Sequence, residues 1–588
     1  MIKLSEYVFK FLKSKGVNTI FMLPGGGAMH LVDSLGTSGI EYIHCQHEQA
    51  AAVMAESYGQ HSNHIGVALV TSGPGATNTI TGVAAGWIDS TPMLIISGQA
   101  KRCDLIGDKG VRQVGSQEVT ITEIVKPIVK YVAQVYEPET IRYHIEKAYY
   151  EATTGRKGPV WLDIPMDVQA AMLDEESLKG FDIPEDEDTV NYGEIASEII
   201  DAVKKSENPI ILAGNGIYSS GASEAFTRML ERVAIPVQTT WKAVDLMCED
   251  DPLYVGHPGG LGDRGANFAI QKCDLLLSLG ARIDNSVTAF NEECFSPASY
   301  KIVVDIDINE LNKFTMHIDK KYCCDVNRLI EAINDASFDK IERTKWISYC
   351  KKIHDKYFKV DLSNYEKKAN YVDGYYFTKQ LSNVLEEGDI IVPESSGVTA
   401  EVTIQAFENK KRQKLKHAAG LGSMGFGLPY SIAACLANDK KRTVLVDGDG
   451  AFQLNIQELE TLHRLNLPIK IFIWDNNGYA SIRNMQRNNF NSRYVGSDET
   501  SGLTLPDIAD VASAYKLPTA VINNDDEVVS GIEKVLSMSG PVVCIVKINT
   551  DQVVAPKVQA RIGENGKMIP GQLDYMWPFD AIDEEDKK

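Results

Sequence analysis

Short β-branched apolar runs, each ending in a polar or glycine-rich turn, recur along this chain with helical patterns between them. Val17–Leu23 runs into Pro24-Gly25-Gly26-Gly27. Ile40–Cys45 runs into Gln46-His47-Glu48-Gln49 and then an alanine-rich helical stretch, Ala50–Tyr58. Ile65–Val70 ends at Thr71–Asn78, which contains Gly73, Pro74 and Gly75, and Met93–Ser97 ends at Gly98-Gln99. Strands alternating with helices predict an α/β unit built on a parallel sheet. Polar strand ends along one edge predict one crevice, because open α/β sheets take ligands beyond the C-terminal ends of their strands. This first unit covers residues 1–170.

The pattern then repeats twice. Residues 171–192 are rich in Asp and Glu, contain Pro184 and read as a solvated linker. In a second unit, 193–335, the apolar run Ile210–Leu212 leads to Ala213-Gly214-Asn215-Gly216. Leu275–Leu279 leads to Gly280-Ala281-Arg282, and Ile302–Val304 to Asp305-Ile306-Asp307. The charged, helix-prone stretch Ile333–Tyr371 reads as a second linker. A third unit spans 372–550 and opens with Asp389–Pro393 running into Glu394-Ser395-Ser396-Gly397. In the tail, 551–588, Val553–Phe579 mixes apolar residues with Gly and Pro and is expected to cover the active site as a lid. The fold class predicted is α/β, with three doubly wound parallel-sheet domains.

The densest pattern is Thr443–Gln486. Val444-Leu445-Val446 ends in Asp447-Gly448-Asp449-Gly450. A helical pattern carried by Leu454, Leu459, Leu462 and Leu465 follows, and a second apolar run, Ile469–Trp474, stops at Asp475-Asn476-Asn477-Gly478. Strand, helix, strand is one right-handed crossover, so the two strand ends lie side by side. Asp449 and Asn476 are then expected to meet although 26 residues separate them. A carboxylate and an amide carbonyl are hard oxygen ligands suited to Mg²⁺ that is also held by phosphates. Gly448 and Gly450, lacking Cβ, let backbone N–H groups approach a diphosphate. An ordinary strand-end turn is the plainer account of Gly-Asp-Gly alone; the Asn-Asn pair at the next strand end is what strengthens the cofactor reading.

Composition narrows the classes. A chain of 588 residues accommodates about three domains. A net charge of −21 with no basic run argues against nucleic acid and anionic membrane as partners. Ten cysteines without a CxxC pair point to reduced thiols rather than a disulfide framework or zinc. No secretory signal is read at Met1-Ile2-Lys3 and no apolar run reaches the length of a membrane span, so a cytoplasmic protein is expected.

The sequence resembles the thiamine diphosphate (ThDP) enzymes, whose signature is GDG, some 25 residues, then NN. Here 25 residues, Ala451–Asp475, lie between Gly450 and Asn476. The likeness to the acetolactate synthases spans nearly the whole chain. It includes CQHEQAAAVMAESYGQ, FMLPGGGAMHLVDSL, VTSGPGATNTITGVAAGWIDSTPMLIISGQ, GPVWLDIPMDVQ and HAAGLGSMGFGLP. By that resemblance Glu48 activates the cofactor: bonded to its aminopyrimidine ring, it favours the tautomer that takes the proton from the thiazolium. Such a carboxyl works best desolvated. Read from residues alone, Glu48 is a strand-end carboxylate of a kind that mostly faces solvent. The resemblance further implies that Gly26, Pro74, Asn78, Ser395, Gly397, Gly422, Gly448, Gly450, Ala451, Tyr479 and Ala480 line the cofactor. Met424 props it in a bent shape, and Asp449, Asn476 and the Gly478 carbonyl hold Mg²⁺. His47, Gln99 and Gln117 are candidates for proton handling and carbonyl polarisation, with packing an equal alternative for His47. In the family the middle domain binds FAD, a degenerate nucleotide or nothing. FAD-binding members often carry Arg-Phe-Asp-Asp-Arg where this chain has Arg282-Ile283-Asp284-Asn285-Ser286. The ThDP site of the family lies between subunits, which implies a homodimer or homotetramer.

Two positions depart from acetolactate synthases proper: Met485 stands for a tryptophan and Ser116 for a phenylalanine. Both changes remove aromatic bulk from the acceptor side. NNGYASIRNMQ, RQVGSQEV and PMDVQ look more like the branch of surface-polysaccharide and deoxysugar pathways, which includes the yersiniose-forming enzyme. The expectation is decarboxylation of pyruvate or a similar 2-keto acid and transfer of the two-carbon unit to a carbonyl acceptor, such as a keto sugar nucleotide. Alternatives are acetolactate synthase itself, a simple 2-keto acid decarboxylase, and an inactive ThDP-binding regulatory subunit.

Overall fold

A computed structural model describes residues 1–185, 188–357, 362, 365–562, 568–569, 571–579 and 583. The three repeats of the sequence pattern are three parallel sheets. In the first, the spatial order is Glu41–His44, Thr19–Met22, Gly66–Val70, Met93–Gln99, Pro159–Pro165, Tyr131–Gln134. The third sheet runs Lys414–Leu415, Ile390–Pro393, Thr443–Gly448, Ile469–Asp475, Val542–Lys547, Thr519–Ile522. Numbered by appearance within each domain, both orders are 2-1-3-4-6-5, so the outer domains share one topology. The middle sheet has five strands, ordered Val237–Thr239, Pro209–Ala213, Leu275–Leu279, Tyr300–Asp305, Lys320–Cys323. The central strands are buried along their length, as strands covered by helices on both faces require.

Each sheet changes winding direction between its first and third strands, and ligands of such folds sit at that switch point. The loops that meet there follow Met22 and Val70 in the first domain, Ala213 and Leu279 in the second, and Pro393 and Gly448 in the third. In the third sheet Gly448 pairs in register with Trp474. Asp449 and Asn476 therefore leave neighbouring strand ends, as the crossover predicted.

The outer domains are joined by two helices, Glu48–Ser62 and Gly427–Ala437, which pack on each other. Ala50, Ala51, Met54 and Ala55 on one, and Tyr430, Ala433 and Ala434 on the other, belong to one continuous core. Small side chains bring the helices close enough for the Ser57 hydroxyl to donate to the Tyr430 carbonyl at 2.7 Å.

One expectation is corrected, and two stretches gain detail. Leu454 is not on the helix after Gly450: that helix is Glu458–Leu465, and Leu454 lies 45% exposed in the preceding loop. The helix-prone stretch after Ile333 contains the helix Thr344–Tyr357, which buries Trp346, Cys350 and Ile353 against the middle domain. The Trp346 indole donates to the Pro209 carbonyl at 2.9 Å. The described part of the tail first packs on the third domain, where Asn484 donates to the Gln552 carbonyl at 2.8 Å and Ala555 N–H donates to the Tyr375 hydroxyl at 2.9 Å, and then runs over the middle domain. Val558 N–H donates to the Gly260 carbonyl, Arg264 donates to the Met576 carbonyl, and Leu573 and Met576 are buried. In the helix and the tail the apolar residues found a neighbouring domain face that local charge and turn content do not reveal.

One cation ties all three domains. The Lys242 ammonium donates to Gln60 Oε1 at 2.6 Å, to Asp89 Oδ2 at 3.0 Å and to the His417 carbonyl. Asp89 is buried, so losing its partner strands a charge. Lys242→Met is expected to lower stability by about 3–5 kcal/mol in denaturant unfolding. Adding Asp89→Asn should recover part of that loss, because the pair is coupled.

Candidate active site

The loops at the switch points of the outer domains form two half-sites. In the first domain, Glu48 begins the helix Glu48–Ser62 and is 9% exposed. Its Oε2 accepts from Asn78 Nδ2 at 3.0 Å, and a Cβ added to Gly75 would lie 3.7 Å from its Oε1. The loop after Thr19–Met22 lies against this turn. A Cβ on Gly25 would lie 2.5 Å from Thr71, and one on Gly27 2.4 Å from Ser72 Oγ, whereas Gly26 faces open space. Pro74 is the exposed first residue of the short helix Pro74–Thr77. Gln117 is exposed with φ of +59°, and its carbonyl would be 2.6 Å from a Cβ on Gly73, which fixes that glycine.

Two of the predicted site residues serve structure here. His47 is the N-cap of the Glu48–Ser62 helix, its Nδ1 accepting the Gln49 N–H at 3.1 Å. Gln99 is 2% exposed and both ends of its amide are engaged. Nε2 donates to the Val119 carbonyl at 2.9 Å and to Asp163 Oδ2 at 3.1 Å, while Oε1 accepts from Ala100 N–H at 2.9 Å. Burial raises the Asp163 carboxyl to about 6, offset in part by bonds from Ser97, Gln134 and Gln99. Gln99 thus braces the floor beneath the half-site.

The second half-site is organised by one carboxylate. Asp449, 2% exposed, accepts three backbone bonds: Gly450 N–H on Oδ1 at 2.7 Å, and Asn476 and Gly478 N–H on Oδ2 at 3.0 Å each. It thereby pins the loop after Thr443–Gly448 to the loop after Ile469–Asp475. Burial raises its carboxyl to about 7 against those bonds. Gly478 has φ of +129°, and a Cβ there would meet the Ser497 carbonyl at 2.5 Å. The Tyr479 ring lies so close that a Cβ on Gly450 would be 2.4 Å from its Cε1. Ala451 and Ala480 are buried, Ser395 is buried, and Gly397 (φ +79°) and Gly422 (φ +64°) hold left-handed turns. Met424, half-buried, sits in the loop before the Gly427–Ala437 helix.

Three further groups at the site carry no signal in the sequence. Arg483 reaches back along its helix, donating to the carbonyls of Asn477 at 3.0 Å and Asn476 at 2.7 Å. Glu394 and Asp447 form a fully buried acid pair under the loops. Burial raises Glu394 to about 7, and burial with the Glu394 charge raises Asp447. Glu458 bridges the third domain to the Gln46-His47 turn. None of the three has a local pattern: an Arg in a polar helix and acids at strand or helix ends are common. Among the described residues no cluster of three or more His, Cys, Asp or Glu forms a metal centre. Asp449 with the Asn476 and Gly478 carbonyls is a one-carboxylate set, suited to a cation that shares a phosphate ligand.

A cavity of about 690 Å³ opens at the switch point of the middle domain. Gly216, Gly280 and Arg282 line it, Asp305 and Asp325 stand at it, and Lys157 and Glu401 join from the outer domains. A Cβ on Gly214 would lie 2.2 Å from Ala281 Cα, so the backbones there approach closely.

Comparison with known families gives three matches, one for each sheet. Residues 2–122 match the thiamine pyrophosphate enzyme N-terminal TPP binding domain, 196–333 the central domain, and 396–546 the C-terminal TPP binding domain. The chain is 32% identical to the acetolactate synthase isozyme 2 large subunit of Escherichia coli (strain K12), over 94% of this chain and 97% of that protein. It is 31% identical to a probable acetolactate synthase large subunit of Methanocaldococcus jannaschii, over 92% and 91%. It is 30% identical to the acetolactate synthase large subunit of Lactococcus lactis, over 95% and 94%.

The closeness of Tyr479 makes Gly450 a test of the cradle. Gly450→Ala is expected to displace the ring and weaken thiamine pyrophosphate about tenfold, the scale of a 1–2 kcal/mol overpacking strain. Titration of cofactor against tryptophan fluorescence would show it, with the melting temperature of the cofactor-free protein nearly unchanged.

Proposed function

This chain belongs to the thiamine pyrophosphate enzymes, among the acetolactate synthase large subunits, and on that premise we propose that it decarboxylates pyruvate or a similar 2-keto acid and joins the two-carbon unit to a carbonyl acceptor. The observation that carries the reading is the Asp449 carboxylate, which joins the Gly448–Gly450 and Asn476–Gly478 loops into one cradle. The donor set fits Mg²⁺ with a diphosphate: one buried carboxylate, two carbonyl oxygens and glycine backbone close by. ThDP, when bound, supplies the electron sink for the carbon that loses CO₂.

The chain's own residues do the rest. Glu48, buried and held by Asn78, offers its carboxyl to the pyrimidine ring and favours proton transfer there. Met424 props the cofactor, and Ser395, Gly397 and Gly422 border the diphosphate. Gln117 is the exposed polar group beside the Glu48 turn and the candidate for polarising a carbonyl. His47 and Gln99 act through position: one caps the helix that starts with Glu48, the other braces the floor.

For the acceptor we favour a keto sugar nucleotide. Met485, 46% exposed, and Ser116, also exposed, leave the approach to the half-sites without aromatic bulk. Acetolactate synthase proper, joining two pyruvates, is the second reading, favoured by the names of relatives that match over nine-tenths of their length. FAD is the ligand proposed for the middle cavity. Its 690 Å³ is within the range of cofactor sites, and Asp305 and Asp325 can accept from ribose hydroxyls. The Ile283–Ser286 departure weighs against it. Exposed Leu421, Leu454, Ile482, Phe490, Val111 and Val114 support burial against a second copy, in a homodimer or homotetramer. All ten cysteines are free, which fits a cytoplasmic location. No helix among the described residues is long and apolar enough to cross a membrane.

The reaction is tested by NMR of products from ¹³C-pyruvate, ThDP and Mg²⁺, with and without a 4-keto-6-deoxy sugar nucleotide. A labelled acetyl branch on the sugar is the expected outcome. Acetolactate in both tubes without a sugar adduct selects the second reading, and untouched pyruvate overturns the donor. Glu48→Gln should lower turnover by about 10²-fold or more. The cation is tested by pH. A divalent ion takes the ionised form of Asp449, whose carboxyl in the cofactor-free fold stands near 7. Mg²⁺ with ThDP is therefore expected to bind with proton release, and more weakly as pH falls from 8 to about 6. Calorimetry in two buffers of different ionisation enthalpy reads this directly. In the cofactor-free protein the sign for stability is opposite: a raised acid favours the fold below its unfolded value and loses that advantage as pH rises through about 7.

A further inference from the structure

Between the strand Glu41–His44 and the helix Glu48–Ser62 the chain turns through Cys45, Gln46 and His47. The N–H groups of a turn must find acceptors when water is excluded. Those of Gln46 and His47 both find the same one: Glu458 Oε1, at 2.8 and 3.1 Å, from a residue 412 positions further along the chain. The other oxygen, Oε2, accepts the Thr461 hydroxyl at 2.6 Å, so the carboxylate is fully engaged. Glu458 is wholly buried.

The same segment grips the turn on either side. Arg464 donates to the His44 carbonyl at 2.6 Å. Asn455 Nδ2 donates at 2.9 Å both to Gln49 Oε1 and to the Gly425 carbonyl, next to Met424. Residues 44–49, with Glu48 among them, are thus held from the segment 455–464, which begins five residues after Gly450. Glu48 itself has one side-chain bond, to Asn78, so its backbone rather than its side chain must fix where the carboxyl points.

We propose that Glu458 is a positioning residue for the proton-transfer step, setting the backbone of the Gln46–His47 turn so that the Glu48 carboxyl meets the pyrimidine ring of the cofactor in reacting geometry. A displacement of 1 Å in such a group costs on the order of 10²-fold in rate, and one methylene in Glu458 is a displacement of that size. The proposal rests on the reading of Glu48 as the activating acid. It goes beyond that reading by assigning the accuracy of activation to a buried acid of another domain that touches neither substrate nor cofactor.

The test uses the full-length protein saturated with ThDP and Mg²⁺, and reads the exchange of the cofactor C2 proton for deuterium by acid quench and proton NMR. ThDP affinity and melting temperature are measured beside it. Glu458→Asp keeps the charge but pulls the acceptor back by a methylene. It is expected to slow C2 exchange about tenfold or more, with ThDP affinity within about threefold of the parent. Glu458→Gln keeps the reach: its amide oxygen accepts both N–H groups and its NH₂ can donate to Thr461. It should exchange within about threefold of the parent. Glu48→Gln is the reference and should lose exchange. Parental exchange in Glu458→Asp with loss in Glu48→Gln overturns the positioning role alone. Parental exchange in Glu48→Gln overturns the underlying reading instead. A parallel fall of affinity and melting temperature in Glu458→Asp, with exchange at saturation unchanged, would make Glu458 a structural residue and also overturn the proposal.

Discussion

The contact on which the rest of the structure depends is the packing of the Glu48–Ser62 helix on the Gly427–Ala437 helix. One begins at Glu48, the acid proposed to meet the cofactor; the other follows the loop that carries Met424. Their shared face is rich in alanine around Met54 and Tyr430, so the helices approach closely and merge the cores of two domains far apart in sequence. Burial of such a continuous apolar face is the dominant favourable contribution to docking, at roughly 25 cal/mol per Å². Once that face is set, the turn before Glu48 has little freedom, and polar bonds from Glu458, Asn455 and Arg464 remove what is left.

Docking brings many acids into low dielectric, and the site is organised by how each is satisfied. Asp449 accepts three backbone bonds and Glu458 two with a hydroxyl, so hydrogen bonding offsets part of their burial, which still raises both carboxyls to about 7. Glu394 and Asp447 lie together beneath the loops, with both carboxyls raised by burial. A Cβ on Gly427 would lie 2.5 Å from Glu394 Oε2 and 2.7 Å from Asp447 Oδ2, so this glycine leaves room for the pair. Two buried carboxyls so placed raise the cost of ionising both. The middle domain repeats the logic with a cation, since Lys242 neutralises Asp89 where three domains converge.

The outer sheets share the strand order 2-1-3-4-6-5, yet their switch-point loops differ in chemistry. One presents an acid at a helix start beside a glycine-rich loop; the other presents an acid bound by backbone N–H groups. The first suits a heterocycle with exchangeable protons, the second a diphosphate with a cation. A cofactor with both ends needs one half-site of each kind, and every chain carries both. Sequence comparison alone would not expose the duplication, because topology is preserved by sheet winding rather than by particular side chains.

What the sequence determined by itself was local and periodic. The apolar runs set the strands, the turns after them set the switch-point loops, and the crossover from Thr443 to Asp475 is enough to place Asp449 beside Asn476. The alanine-rich helix was legible in the same way, although it begins at Glu48 rather than at Ala50. Tertiary structure alone decided the rest. It turned Gln99 inward to Asp163, made His47 a cap, folded the Thr344–Tyr357 helix and the tail onto the middle domain, and moved Leu454 off its expected helix. It also joined Glu458 to a turn 412 residues away. The physical reason is that periodicity reports which face of an element is apolar, whereas the partner of a buried polar group is fixed only when distant elements dock and water is excluded.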